Sequence, residues 1–300
     1  MRQPLLLVRR HANRDFAIAC AVAALLTSGF GAWMALQIDG AGFTEAIRVL
    51  GEAAAALVAV VACMVAATRH TGRTRFALVL LGTGALAWAA GQGAWSYVEI
   101  IERQQLSFPS LVDVGHLALV PLAVAGIAVF PGRQRAASRL AFLLDGAILA
   151  GALVLISWAT VLGTVYHSGS DIGPSAVTGL AYPVSDIVMA VMALLLVGRT
   201  AGSARLPLLL VMAGVFANLL TDSASAYLTT VTTSGPVQIL GTGWVAGFLL
   251  MALGAVRAAL LAGSASRADE RPPGRWTIVV PYIPVAVAAV IAVLKNVSGP

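Results

Sequence analysis

The stretch FPSLVDVGHLALVPLAVAGIAVF, residues 108–130, contains the feature that decides the fold and the feature that raises the functional question. It is an apolar run of the length, roughly 17 to 25 residues, that a helix needs to cross a bilayer. It also carries Asp113 and His116, which lie one helical turn apart on the same face. An ionisable pair in such a segment requires a structural or a functional explanation.

The composition places the whole chain in the same class as this stretch. Hydrophobic residues make up 59% of the 300 residues and charged residues 11%, with a mean hydropathy of +0.89. A soluble domain has about 25% charged residues. The net charge of +6 would suggest nucleic acid binding only if the arginines formed a patch on a soluble face, and they do not. The composition therefore predicts an integral membrane protein whose partner is the lipid bilayer and not nucleic acid.

Further apolar runs on both sides of this stretch extend the prediction to the whole chain. They predict an all-α, polytopic bundle of about nine transmembrane helices built from antiparallel hairpins. No soluble domain fits between the runs, so residues 1–300 form a single membrane domain. The predicted helices cover residues 16–37, 46–68, 76–98, 110–130, 140–163, 177–198, 206–228, 237–260 and 277–294.

The placement of the arginines predicts the orientation, because Lys and Arg are retained on the cytoplasmic side of a membrane. All basic residues except Arg48, Arg103 and Lys295 fall on one side of the predicted helices, and that side includes the N-terminus. The N-terminus is therefore predicted to be cytoplasmic. With nine helices, the C-terminus of this chain is predicted to be extracytoplasmic.

An internal repeat is indicated when the third predicted helix is aligned with the seventh at an offset of 130 residues. The alignment matches Gly84 with Gly214 and also pairs arginines and tyrosines, and two-helix units begin near residues 75, 139 and 205. Inverted-repeat transporters require units with an odd number of helices, whereas two-helix units keep one orientation. The pattern therefore argues against that class of transporter.

Polar and aromatic residues on several predicted helices fall at a similar depth, in the half of the membrane away from the cytoplasm. An ionisable group near the bilayer centre costs about 2.5 to 3.5 kcal/mol, so it should face the bundle interior, water or a partner. We therefore predict an outward-facing polar cavity that binds a small-molecule ligand. The candidate ligand-binding residues are Gln92, Trp95, Glu99, Asp113, His116, Asp186, Asp222 and Trp244.

Each of these residues also has a structural interpretation. Polar side chains in membrane helices often form interhelical hydrogen bonds worth about 0.6 kcal/mol. Asp113 and His116 fit a structural pair as well as a ligand or proton site, and the aromatic residues fit interfacial packing. Asp145 lies nearer the cytoplasmic side and is interpreted as structural, whereas Glu99 falls at the boundary and fits a solvated position.

Familiar catalytic and metal-binding motifs do not occur in the sequence. There is no H-E-x-x-H motif and no Walker A motif, and Asp113 with His116 supplies too few ligands for a metal. Cys20 and Cys63 lie inside predicted helices, where they fit small packing residues. The chain is therefore predicted to have no enzymatic activity, no metal and no cofactor.

Five short motifs carry a resemblance to a known family. They are AWSYVEI (94–100), FPSLVDVGHLALVPLAVAG (108–126), LAFLLDGAILAGALVLISWATVL (140–162), AYPVSDIVMAVMALLLVGR (181–199) and RWTIVVPYIPVAVA (275–288). Over residues 75–294 the chain resembles the multi-pass membrane region that precedes GGDEF and EAL domains in bacterial cyclic-di-GMP signalling proteins. The resemblance implies a set of structural motif residues, to which no chemistry is assigned: Pro109, Ser110, Asp113, Leu144, Asp145, Gly146, Tyr182, Pro183 and Asp186.

The resemblance implies a sensory input module in the bacterial inner membrane, which relays an unidentified signal to a cytoplasmic diguanylate cyclase or phosphodiesterase. Neither a GGDEF nor an EAL motif is present, and the predicted C-terminus lies outside. We therefore expect that the chain is a fragment of a longer protein. A small-solute or proton-coupled transporter and a ligand-free anchor or dimerisation domain remain as alternatives, with the homodimer left open.

Overall fold

A computed structural model describes residues 3–37, 40–102, 110–130, 139–159, 163, 166, 181, 184–185, 187–191, 194–195, 205–231, 237–262 and 282–298. Within these residues the chain is helical apart from short turns and contains no strand, as the all-α prediction requires. A π-helical segment, Tyr97–Glu102, continues the third helix. The α-helices are α1 Gln3–Leu36, α2 Ala41–Thr68, α3 Gly72–Ser96, α4 Leu111–Val129, α5 Arg139–Ser157, α6 Arg205–Val231, α7 Val237–Leu261 and α8 Ile283–Ser298.

Six of the described helices, α1 to α4, α6 and α7, are long and apolar enough to cross a membrane. Their apolar segments are His11–Leu36, Gly42–Thr68, Gly72–Ser96, Val112–Val129, Arg205–Ser225 and Ile239–Leu261. The prediction of a multi-pass membrane protein is thus confirmed for six of the nine predicted spans. Shorter apolar helices cover Leu144–Ser157 and Ile283–Val293, and most of the predicted helix 177–198 lies outside the described residues.

Two helices begin earlier than the hydropathy pattern predicts. Helix α1 begins at Gln3 instead of residue 16, and α2 begins at Ala41 instead of residue 46. Glu45 is therefore in the first turns of α2 and not in a loop. Polar side chains lower the local hydropathy without breaking a helix, and here Glu45 and Arg48 form an ion pair at helical spacing.

Helix α2 is at the centre of the packing and contacts both α3 and α7. The two most extensively packed pairs are the antiparallel hairpins α3 with α4 and α6 with α7, and α1 packs on α7. Helices α1, α3 and α6 end, and helices α2, α4 and α7 begin, at the same end of the bundle. We call this end of the bundle the α2 start. Helices that follow one another in the chain, such as α2 and α3, thus pack together as antiparallel neighbours.

Small residues allow the helices of each hairpin to approach closely, as is common in membrane bundles. A Cβ atom at Gly84 in α3 would lie 3.1 Å from Cδ1 of Leu119 in α4. A Cβ atom at Gly214 in α6 would collide with the carbonyl oxygen of Gly247 in α7 and lie 3.0 Å from the backbone nitrogen of Met251. The two glycines that the 130-residue offset matches therefore both lie at a helix contact within their hairpin.

The apolar side chains of the bundle point both inward and outward. Leu78, Leu81 and Phe248 are completely or almost completely buried in the core, whereas Leu25 in α1 is 73% exposed and Val61 in α2 is 61% exposed. In water such large exposed apolar side chains would be unfavourable, but on a membrane helix they contact lipid tails. The exposed apolar side chains and the lengths of the six apolar helices therefore both indicate helices that lie in a membrane.

Candidate functional site

A group of charged and polar side chains lies at the α2 start, inside segments that are apolar enough to span the membrane. We call it the polar cluster, and its members come from four helices: Glu45, Arg48, Glu52, Gln92, Asp222 and Trp244. Three members, Gln92, Asp222 and Trp244, belong to the predicted ligand-binding set. The other three all lie on α2.

Arg48 is the central cation of the polar cluster. Its Nε donates to Oε2 of Glu45 at 3.0 Å, and its Nη1 donates to Oε1 of Glu52 at 3.0 Å. The spacings of three and four residues place both carboxylates on the same face of α2 as the guanidinium. The helix therefore positions one arginine between two acids without help from any other element.

Glu52 joins α2 to α3. Its carboxylate is only 1% exposed, and its Oε2 accepts a hydrogen bond of 2.6 Å from Nε2 of Gln92, which is 5% exposed. Ser96 donates from its hydroxyl to the Gln92 carbonyl one turn later. A buried carboxylate is expensive unless it is paired and hydrogen-bonded, and Arg48 and Gln92 together satisfy both oxygens of Glu52.

Asp222 and Trp244 join α6 to α7 at the same level of the bundle. The indole Nε1 of Trp244 donates to Oδ1 of Asp222 at 2.7 Å. Helix α7 also lies directly on the acids of α2, since a Cβ atom at Gly241 would be 2.6 Å from Oε1 of Glu52. Asp222 and Glu52 are near enough for their carboxylates to interact electrostatically. The two hydrogen-bonded pairs are therefore parts of a single site.

The charges of the polar cluster do not balance. It contains three carboxyl groups, on Glu45, Glu52 and Asp222, and a single guanidinium, on Arg48. Within the described residues, no group of three or more His, Cys, Asp or Glu side chains is arranged to hold a metal ion. A proton is chemically suited to an excess of acid, because it needs no vacant space between hydrogen-bonded side chains.

Asp113 and His116 lie one turn apart on α4, but they contact different groups. The Ser110 backbone nitrogen donates to Oδ2 of Asp113 at 2.7 Å, and the Val112 nitrogen donates to Oγ of Ser110 at 3.3 Å. These bonds form a capping box at the start of α4. The structural interpretation of Asp113 therefore has a specific geometry, which the sequence analysis did not identify.

His116 packs as an aromatic ring. Its ring centroid is 5.0 Å from that of Trp88 in α3, and Trp88 in turn lies 4.7 Å from the ring of Phe248 in α7. The Nε2 atom of His116 is buried and has no hydrogen-bond partner within the described part of the chain. His116 thus lies between α3 and α4 and is not bonded to the polar cluster by any contact that the structure describes.

The remaining predicted residues are distributed as follows. Trp95 is half-buried near the end of α3, and the backbone of Glu99 lies in the π-helical segment. Asp145 accepts a hydrogen bond of 3.2 Å from the Tyr282 hydroxyl, which links α5 to the start of α8. The side chain of Glu99, and the whole of Asp186, Pro109, Tyr182 and Pro183, lie outside the described residues.

Glu45, Arg48 and Glu52 are the members of the polar cluster that are absent from the predicted ligand-binding set. The predicted helix 46–68 excludes Glu45, and the sequence analysis assigns no role to Glu52. The signal was present, because Glu45, Arg48 and Glu52 follow one another at spacings of three and four, which places them on one helical face. It was overlooked because the helix boundary was drawn after Glu45.

A cavity of about 580 Å³ lies away from the polar cluster, between α2 and α7 at the opposite end of α2. Its lining is apolar except for Arg69. The side chains of the polar cluster, by contrast, are hydrogen-bonded to one another. The predicted convergence of Gln92, Asp222 and Trp244 at one level is thus observed, whereas the cavity just described lies elsewhere.

Comparison of the chain with family models, with curated proteins and with solved structures found no match.

Proposed function

We propose that this protein is a membrane-embedded sensory input module, and that the polar cluster detects protons. The observation that carries the proposal is that three carboxyl groups share the interior of a membrane bundle with one guanidinium, with Glu52 buried and Glu45 and Asp222 partly buried. A buried charge without a partner costs several kcal/mol, so binding of one proton by this group is favourable. Proton uptake is therefore the chemistry that this arrangement supports best.

The position of the polar cluster supports a role in signalling. Its hydrogen bonds join α2 to α3 and α6 to α7, and Gly241 brings α7 onto Glu52. A change in the charge of Glu52 would alter the bond between α2 and α3, and a change in the charge of Asp222 would alter the bond between α6 and α7. A proton can shift the packing only by as much as it binds one packing better than another, and an interhelical hydrogen bond supplies such a difference.

The sequence supports the wider assignment. The five motifs resemble the membrane regions that precede GGDEF and EAL domains, so the output would be a cytoplasmic diguanylate cyclase or phosphodiesterase carried by a longer chain. The arginine distribution supports a cytoplasmic N-terminus in the bacterial inner membrane. With that orientation the α2 start faces the extracytoplasmic side, and the polar cluster would respond to external pH. The chain itself would have no enzymatic activity.

The test is the dependence of stability on pH. The free energy of unfolding of the purified chain in bicelles should increase as pH falls from mildly alkaline to mildly acidic values, with a slope of up to about 1.4 kcal/mol per pH unit for one proton. The sign follows because the folded chain then holds a proton that the unfolded chain releases. Glu52→Gln should reduce this slope, since one acid is removed from the cluster.

Glu102→Gln is the matched control, because Glu102 lies at the same end of the bundle on the exposed π-helical segment. It should leave the slope unchanged. A flat pH profile for the wild-type chain would contradict proton detection and favour a ligand-free anchor or dimerisation domain. An equal loss of slope in both variants would assign the pH dependence to surface charge.

A proton-coupled transporter is the second candidate, since it also uses carboxyl groups inside the membrane. A transport pathway must continue to the other side, but the far half of the α2 and α7 interface is lined by apolar residues up to Arg69. Reconstitution in liposomes that contain a pH-sensitive dye separates the two functions. Proton flux that is lost in Glu52→Gln would favour the transporter over the sensor.

A further inference from the structure

We propose that the cavity between α2 and α7 is a binding site for one anionic phospholipid, with the headgroup phosphate at Arg69. We call this cavity the lipid groove. The inference is independent of proton detection, because the lipid groove lies at the opposite end of α2 from the polar cluster. It depends only on the placement of the six helices in a membrane.

The lining of the lipid groove fits an acyl chain. On α2 it includes Leu57, Val58, Val61 and Val65, which are all 45% exposed or more, and on α7 it includes Leu260. Neither helix offers a polar group to water along this face except Arg69. In a bilayer such a groove is filled by a hydrocarbon chain, because a vacant space would lose the dispersion contacts of its lining.

The length of the lipid groove corresponds to one leaflet. From Leu57 to Arg69 the helical rise is about 18 Å at about 1.5 Å per residue, whereas half of the hydrocarbon core is about 15 Å thick. The lipid groove therefore begins near the middle of α2 and ends just beyond its last residue, Thr68. A phospholipid chain lying in it would have its phosphate beside the guanidinium.

The charge at this end selects the kind of lipid. Arg69 makes no side-chain hydrogen bond or ion pair within the described part of the chain, and no acidic residue is among those that line the lipid groove. Arg73 follows on the first turn of α3 and is also exposed. Guanidinium groups bind phosphate with two hydrogen bonds, and basic residues at a membrane surface favour anionic lipids.

A second arginine, Arg257 of α7, already has partners within the protein. Arg257 in α7 donates from Nη1 to Oδ1 of Asn13 at 3.0 Å, and its guanidinium lies 5.0 Å from the ring centroid of Phe16. His70 hydrogen-bonds through Nε2 with the Ala258 carbonyl at 3.0 Å and so attaches the end of α2 to α7. The helices on the two sides of the lipid groove are thus attached to each other, and Arg69 is the charged residue that can bind a lipid headgroup.

The test is lipid retention by the full chain. The protein is purified from nanodiscs of phosphatidylcholine that contain a minor fraction of phosphatidylglycerol, and bound lipid is counted by native mass spectrometry. The wild-type chain should retain one phosphatidylglycerol in preference to phosphatidylcholine. Arg69→Gln should reduce this retention about fivefold. Arg73→Gln, which removes an exposed arginine outside the lipid groove, should reduce it much less.

A second variant tests the groove itself. Val61→Trp should fill the lipid groove and reduce retention of phosphatidylglycerol, whereas Leu25→Trp, at an exposed apolar position on α1, should not. If the two arginine variants lose lipid equally, general surface attraction explains the binding and the proposed site is wrong. Retention that is unchanged in both Arg69→Gln and Val61→Trp would also overturn it.

Discussion

The α3 and α4 hairpin and the α6 and α7 hairpin are both pairs of closely packed antiparallel helices, but their polar contacts differ. In the first, Asp113 and Ser110 form a capping box within α4, and no described hydrogen bond joins His116 to α3. In the second, Trp244 donates to Asp222 across the two helices. The described contact of His116 with α3 is therefore ring packing against Trp88, whereas the second hairpin has a polar bond between its helices.

The two glycines that the 130-residue offset matches differ in what lies nearest to them. The contact at Gly84 is with a leucine side chain, whereas the contact at Gly214 is with the backbone of α7. Gln92 in α3 and Asp222 in α6 are matched by the same 130-residue offset, and both belong to the polar cluster. The two positions therefore lie at one level of the bundle but have different bonding partners.

Removing Arg48 should have the largest effect, because Arg48 is the cation that pairs with both Glu45 and the buried Glu52. Arg48→Met leaves Glu52 buried beside Glu45 without a positive partner, which should cost about 3 to 5 kcal/mol of unfolding free energy. Denaturant titration in bicelles measures this loss. The double variant Arg48→Met with Glu52→Gln should recover part of it, and a loss equal to that of the single variant would argue against the ion pair.

Alanine substitution at the two matched glycines should cost different amounts of unfolding free energy, because different groups lie nearest to the two positions. Gly214→Ala should cost about 3 kcal/mol, because the added methyl group meets the backbone of α7, which cannot rotate away. Gly84→Ala should cost about 1 kcal/mol, since its contacts with Leu119 and Leu122, at 3.1 Å and 3.2 Å, are relieved by a small shift of α4. The two unfolding free energies are compared under one condition, and equal costs would remove this difference between the hairpins.

Loss of a single polar contact should have a smaller effect, and it should be greater in the second hairpin. Trp244→Phe leaves the Asp222 carboxylate without its indole donor and should cost about 2 kcal/mol. Ser110→Ala removes a helix cap from α4 and should cost about 1 kcal/mol. Thermal unfolding in detergent is sufficient to rank the variants, and the reverse order would show that the cap is the more important bond.

Substitution of His116 should have the smallest effect on stability. His116→Phe keeps a ring against Trp88 and removes a nitrogen that has no hydrogen-bond partner in the described structure, so the change should be within about 0.5 kcal/mol. The same unfolding assay measures it. A loss above about 2 kcal/mol would instead reveal a polar partner of His116 and make the two hairpins more alike.

Much of the architecture follows from the sequence alone. The lengths of the apolar runs predicted the six confirmed spans, because the thickness of the bilayer demands a minimum helix length. Depth is also readable, since each residue advances a helix by about 1.5 Å. For this reason the sequence predicts Gln92, Asp222 and Trp244 at one level of the bundle, where the structure has their hydrogen bonds.

The partners at that level were decided only by the tertiary structure. Apolar residues surround these helices on nearly every side, and lipid is as apolar as a protein core, so no hydrophobic face specifies how each helix is rotated. The rotation is set by close contacts, such as Gly241 against Glu52 and Gly214 against α7. The sequence therefore determined how deep each polar group lies, and packing determined that Glu52 bonds to Gln92 and Asp222 to Trp244.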